Sequence, residues 1–203
     1  MTAETAQIAG KMAEWKAWLN RYDIEGEDYT AEEALNRLLS FLEGRDVTVS
    51  APVEGVRRIS VKNDAGEELL VDYDCVAEEF TWCFGSYHSH AGLDRYSVWN
   101  MLWNLHGLLA GKSCTVFYAL DGNWLLSCMY ETSDLSTREG VKAAFLEDLD
   151  SVRAFAKECP ETRNPLLHLP ERDDWKKLQI RLSFFDSSRN RSETFTPEEL
   201  RRE

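Results

Sequence analysis

The clearest alternation of apolar and polar positions lies at residues 78–90, where the sequence reads EEFTWCFGSYHSH. A period of two predicts a β-strand, because successive side chains of a strand point to opposite sides of the sheet. One predicted side changes from large apolar to polar and titratable residues: Phe80, Trp82, Phe84, Ser86, His88 and His90. This change predicts one continuous strand that leaves a core and ends at a solvent-exposed rim.

Shorter alternating runs predict six more strands, at residues 47–49, 56–61, 69–73, 114–120, 124–130 and 177–185. The turn sequence Asn-Asp-Ala-Gly at 63–66 and the turn sequence Asp-Gly-Asn at 121–123 each separate two of these runs. Such residues accept the positive φ values of tight turns, so both sites predict antiparallel hairpins. Residues 186–193 are predicted to form a polar turn.

Apolar positions at helical spacing predict five helices, at residues 4–22, 30–42, 94–110, 136–156 and, shortest, from 197 onward. Thr30 with Glu33 and Ser136 with Glu139 have the spacing of capping boxes. The segment 94–110 is apolar around most of its circumference, which predicts a buried helix.

This order of elements predicts the α+β class, with a mainly antiparallel sheet and helices packed on one face. We expect a single domain over residues 1–203. Within it we predict an N-terminal helical pair at 1–44, an α+β core at 45–160, and a less integrated C-terminal strand and short helix at 161–203.

Acidic residues dominate the first half of the chain. The net charge is −13, and residues 1–91 contain 18 acidic and 8 basic side chains. Such a field repels nucleic acid and anionic membranes and attracts basic proteins. The sequence has no apolar run of about 18 residues and does not begin like a signal peptide, so we expect a cytoplasmic protein. Five cysteines without a CxxC pair predict reduced core thiols.

Two histidines at i and i+2, His88 and His90, could share a metal ion, with Asp94 or Asp72 as an oxygen ligand. A metal- or histidine-dependent hydrolase is therefore one alternative function. No HExxH, GxSxG, P-loop or GxGxxG motif accompanies the pair, and Cys83 is predicted on the opposite face of the strand. We therefore expect no catalytic residue and no metal or other cofactor, and favour a non-enzymatic binding protein.

Aromatic residues are frequent beside these histidines. Tyrosine and tryptophan combine a large apolar area with a polar group, as binding hot spots require. We predict a partner-binding patch made of Tyr87, His88, His90, Asp94, Arg95 and Tyr96. The alternative interpretation of these residues is an ordinary corner between a strand and a helix.

The run EFTWCFGSYHSH at residues 79–90, followed by a helix and a hairpin, resembles small bacterial immunity proteins of polymorphic toxin systems. The resemblance covers residues 78–130. It implies a cytoplasmic inhibitor that covers a toxin, often a basic nuclease, with an acidic surface. We therefore expect a basic protein partner, no nucleic acid and no membrane. A further alternative is an inhibitor from a mobile element that mimics nucleic acid through the acids of residues 23–79.

Overall fold

The computed structural model describes residues 27–131, 135–159, 161, 164, 166–167, 169 and 174–200. Within them the chain has the predicted α+β class, with two antiparallel sheets. The first sheet contains β1 (Val47–Ser50), β2 (Val56–Lys62), β3 (Glu68–Asp74), β4 (Glu79–Phe84) and β5 (Tyr87–Ala91). The second contains β6 (Ser113–Leu120), β7 (Asn123–Glu131), β8 (Leu178–Ser183) and β9 (Arg191–Phe195). The helices are α1 (Ala31–Phe41), α2 (Arg95–Leu109), α3 (Arg138–Glu158) and α4 (Pro197–Leu200). The helix predicted at residues 4–22 lies outside the described residues.

The first sheet follows chain order, β1-β2-β3-β4-β5, and the second has the order β7-β6-β8-β9. The predicted C-terminal strand is β8, which has hydrogen-bonded neighbours on both sides. The polar turn predicted at 186–193 is wrong in part, because a 3₁₀-helix at Ser187–Arg189 is followed by β9. Only Phe195 in β9 is fully buried, so the strand has too few apolar residues to produce a recognisable pattern.

Contacts divide the chain into two compact units. Of the described residues, the first comprises 27–62, Glu68–Cys83 and Ser89–His106, and the second comprises Asn63–Glu67, Phe84–His88 and those between 107 and 200. The predicted organisation into one domain, with segments at 1–44, 45–160 and 161–203, stays a prediction.

In the first unit, α1 begins with the predicted capping box. The Thr30 hydroxyl accepts the backbone N–H of Glu33 at 3.3 Å, and the Glu33 carboxylate accepts the backbone N–H of Thr30 at 2.8 Å. These two bonds satisfy backbone donors that have no partner inside the helix. Three leucines at helical spacing in and just after this helix are buried, Leu35, Leu38 and Leu42, whereas Leu39 is exposed.

The helix α2 begins after Asp94, whose carboxylate accepts the backbone N–H of Ser97 at 2.8 Å. Its many buried side chains confirm the predicted buried helix: Val98, Trp99, Met101, Leu102, Leu105 and Leu108. Among the described residues, no helix is both long and apolar enough to cross a membrane.

The predicted continuous strand at 78–90 is wrong, because Gly85 and Ser86 form a two-residue connection between β4 and β5. Gly85 has a φ of +59°, which glycine adopts without strain. A Cβ atom at this position would also lie 3.3 Å from the Thr115 hydroxyl. Paired residues on adjacent strands face the same side, so a two-residue turn joins even-numbered positions of β4 to odd-numbered positions of β5. His90 therefore does not share the face of Phe80, Trp82 and Phe84.

In the second unit, β6 and β7 form the predicted hairpin. Asp121 and Gly122 both have positive φ, at +51° and +87°, as a tight two-residue turn requires. The buried side of this sheet supplies Tyr118, Ile180, Leu182 and Phe195 to a core cluster that also contains Phe145 and Leu149 of α3.

The start of α3 corrects the predicted capping box. The N-cap is Thr137, whose hydroxyl accepts the backbone N–H of Gly140 at 3.0 Å, and not Ser136. Threonine and serine both serve as N-caps, so adjacent candidates cannot be separated by residue type.

The predicted core thiols are only partly confirmed. All five cysteines are free, and Cys114 is buried, but Cys75 is exposed.

A polar cluster lies within the apolar core of the second unit. The hydroxyl oxygens of Tyr118 and Tyr130 are 2.5 Å apart, and the Tyr130 hydroxyl donates to the carboxyl group of Asp148 on α3. Burial raises the pKa of Asp148, although the hydrogen bond from Tyr130 opposes this effect. Burial also raises the pKa of the neighbouring Cys128 thiol to about 12, so this cysteine is protonated and unreactive at neutral pH.

We predict that Asp148→Asn stabilises the protein more at neutral than at acidic pH. The raised pKa means that the folded state binds the Asp148 proton more tightly than the unfolded state does. The stability from this side chain is therefore complete below the unfolded-state pKa and is lost as pH rises through the folded-state pKa. Asparagine does not ionise, so the variant does not lose stability in this way as pH rises. Its free energy of unfolding relative to wild type, measured with urea, should increase between about pH 4 and about pH 7.

The control is Asp150→Asn on the same helix, where the aspartate side chain is 45% exposed and its Oδ1 lies 3.9 Å from Arg153 Nη1. An equal pH trend in both variants would contradict the role assigned to burial at Asp148.

Candidate functional site

The outward face of the first sheet carries charged and hydroxyl side chains, and we call it the polar sheet face: Arg58, Asp72, Glu79, Thr81 and His90. Strand register places Asp72 opposite Arg58 on β2 and opposite Thr81 on β4. The Arg58 guanidinium donates to both carboxylate oxygens of Asp72, at 2.7 and 2.6 Å. This two-bond geometry fixes both side chains across the strands. The opposite face is apolar, with the Tyr73 and Phe80 ring centroids 5.0 Å apart.

His90 is joined to β4 by two contacts. Its Nδ1 atom lies 2.5 Å from Glu79 Oε1 and 3.2 Å from Thr81 Oγ1. The His90 and Glu79 side chains are 52% and 42% exposed, so water screens their interaction. Neither Glu79 nor Thr81 was predicted as a partner of His90. The glycine-serine pair at 85–86 is the sequence signal that could have identified them, since it is typical of two-residue hairpins.

The predicted patch residues near the start of α2 have separate roles in the first unit. Asp94 caps α2, as described above. Arg95 donates from Nε to the backbone carbonyl of Glu27 at 2.7 Å, and its guanidinium lies 4.7 Å from the Tyr29 ring centroid. Tyr96 is 59% exposed. Arg95 is therefore engaged with Glu27 and Tyr29, whereas Tyr96 is accessible to a partner.

The other two predicted patch residues, Tyr87 and His88, lie in β5 and group with the second unit. His88 is exposed and Tyr87 is half-buried. The patch is thus divided between the two units, and its role as one binding surface stays a prediction.

The residues proposed for a metal site are engaged in other contacts. Asp72 accepts two hydrogen bonds from Arg58, and Asp94 caps a helix. Across the described ranges, no group of three or more His, Cys, Asp or Glu side chains could hold a metal ion. Cys83 shares the outward face of Thr81 and His90, contrary to the predicted opposite placement. Burial raises the pKa of Cys83, so this thiol is a poor nucleophile.

A cleft of about 440 Å³ in the first unit is lined by Glu33, Asn36, Arg37, Ser40, Phe41, Trp99 and Leu102. The Arg37 guanidinium lies 5.3 Å from the Trp99 ring centroid. The pKa of Glu33 is below its usual value because it accepts the backbone N–H and the hydroxyl of Thr30. A general base needs a pKa near the working pH, so this carboxylate is unsuited to that role.

Comparisons with known proteins add no assignment: neither protein-family models nor curated protein sequences nor solved structures match this chain. The resemblance to immunity proteins therefore stays a prediction from residues 78–130.

We predict that Glu79 and His90 contribute little to folding. A double-mutant cycle with Glu79→Ala and His90→Ala should give a coupling free energy of about 0.2–1 kcal/mol, because the pair is exposed. Urea unfolding of the four proteins measures this value. The matched control is the exposed pair of Lys62 and Glu68, whose charged atoms lie 3.4 Å apart in the same sheet. A coupling above about 3 kcal/mol would contradict a surface role and indicate a desolvated site.

Proposed function

We propose that this protein is a non-enzymatic, cytoplasmic inhibitor of the immunity type, which covers a basic toxin domain with an acidic surface. The observation that carries the proposal is the charge of the first unit. Its described residues include 13 acidic and 6 basic side chains, and none of these acids is buried. Exposed acids of one sign attract a basic partner over distances beyond direct contact, and this attraction accelerates encounter.

Two further features support binding through this unit. The polar sheet face is held by cross-strand contacts, so its charged groups are fixed before a partner arrives. Preorganised side chains lose less conformational entropy on association than mobile ones. The exposed Tyr96 provides an aromatic side chain of the kind that is enriched at binding hot spots.

A histidine-dependent hydrolase is the competing function, and the short contact between His90 and Glu79 is the observation that favours it. A carboxylate can orient an imidazole for proton transfer. The enzyme also needs a nucleophile or an activated water molecule, and the half-buried Cys83 thiol is unsuited to the first role. Occlusion is therefore the better-supported mechanism.

The proposal predicts stoichiometric neutralisation. Co-expression with the toxin domain encoded beside this gene should restore growth of a bacterial host. With purified proteins, toxin activity should fall linearly and vanish at one inhibitor per toxin, because each surface covers one active site. Neutralisation by a small fraction of one equivalent would indicate an enzyme, and no protection by wild type would refute the proposal.

Charge reversal should slow association by about tenfold or more when it falls in the first unit. The test variant carries Glu32→Lys, Glu43→Lys and Glu68→Lys, all at exposed positions. The control carries Glu139→Lys, Glu147→Lys and Glu158→Lys, also exposed, in the second unit. Both variants change the net charge equally. Stopped-flow measurements at low and high salt should show a larger decrease in association rate for the test variant than for the control. Equal decreases would contradict a local acidic surface.

A further inference from the structure

Two loops of the first sheet lie side by side, and we call them the paired-loop tip: residues 51–55 and 75–78. The backbone N–H of Cys75 donates to the carbonyl of Gly55 at 2.8 Å. A Cβ atom built on Gly55 would lie 3.9 Å from Cγ2 of Val76, so the valine side chain lies over this glycine. The first loop is closed by a bond from the Val56 N–H to the Val53 carbonyl at 3.2 Å.

The tip exposes apolar side chains. Val76 is 89% exposed and Val53 is 61% exposed, the largest exposed fractions among the large aliphatic side chains described. The other apolar residues of the two loops are exposed as well: Ala51, Pro52 and Ala77. Exposed apolar residues that are contiguous and surrounded by polar groups are typical of protein interaction sites.

Acidic side chains surround these apolar residues. Glu54 and Glu78 lie within the loops, and Asp74 and Glu79 are the paired residues that flank the second loop. The Asp74 carboxylate accepts the backbone N–H groups of Ala77 and Val76, and these bonds lower its pKa. Arg57 is the single basic residue within positions 51–57 and 74–79.

The backbone at Glu78 does not favour glutamate. Its φ of +53° lies in the left-handed region, where glycine or asparagine is the usual residue. Glycine would relieve this strain but would remove an acid from the tip. Strained backbone positions cluster at functional sites, so this glutamate is a candidate for a role in binding.

We propose that the paired-loop tip is the docking surface for a basic protein partner, whose apolar contact residues cover Val53 and Val76 while its cations face the surrounding acids. This inference rests on the proposed function and specifies which surface of the first unit makes the contact. Charge complementarity identifies the partner as basic, because four acids and one arginine border the apolar residues. The tip adjoins Glu79, so contact there would extend onto the polar sheet face.

The test measures binding of the same toxin domain to three variants by surface plasmon resonance. Val76→Asn should weaken affinity about tenfold or more, because it places a polar group in the apolar contact without adding an acid that would itself attract the basic partner. Glu78→Gly should slow association while raising the thermal midpoint, and this combination excludes general unfolding as the cause. Phe155→Asn, which alters a 55% exposed apolar residue of α3, is the control and should bind like wild type.

Cysteine alkylation provides a second readout. Cys75 lies in the tip and is exposed, so a maleimide should modify it rapidly in the free protein and slowly in the complex. Mass spectrometry identifies the modified residue. If wild type binds, Val76→Asn binds with unchanged affinity and Cys75 is not protected in the complex, the assignment of the tip as the docking surface is refuted but the proposed function is not. If wild type does not bind the toxin domain, the proposed function fails and this inference fails with it.

Discussion

The two-residue turn at Gly85 and Ser86 determines which way every side chain of β5 points. A turn of this length reverses the relation between sequence parity and sheet face, so His90 lies beside Thr81 and not beside Trp82. Glycine is favoured at the first position, because φ is +59° and a Cβ atom there would lie only 3.3 Å from the Thr115 hydroxyl. In an uninterrupted strand, His90 would share the buried face of Phe80 and Trp82.

This arrangement separates the two faces of the first sheet by chemistry. Tyr73, Phe80 and Trp82 supply the buried face, and their burial stabilises the sheet through apolar area removed from water. On the outward face, the exposed pair of Glu79 and His90 contributes little to stability. Side chains that contribute little to folding stability can take part in recognition, and we therefore assign binding to this face and to the loops beside it.

The second unit combines apolar packing with buried polar groups. Tyr118, Tyr130 and Asp148 form a hydrogen-bonded cluster between strands and α3, and Cys128 is kept protonated beside them. Satisfied polar clusters in a core restrict how its elements can pack. The raised pKa values of these groups follow from burial, so they are no evidence of catalysis. The proposed inhibitor function depends instead on exposed acids and exposed apolar residues.

Local residue patterns predicted most of the elements and the α+β class. The capping box at Thr30, the Asp-Gly turn at 121–122 and the periodicity of α2 each act through near neighbours, so they are readable from the sequence. The partner of His90, the strand β9 and the exposure of Val76 depend on which strands pair and what covers each loop. Those contacts join residues distant in the chain, and only the tertiary structure decided them. The His-x-His end of residues 78–90 therefore belongs to the second strand of a hairpin. The turn before it places His90 beside Glu79, on the face opposite Phe80 and Trp82.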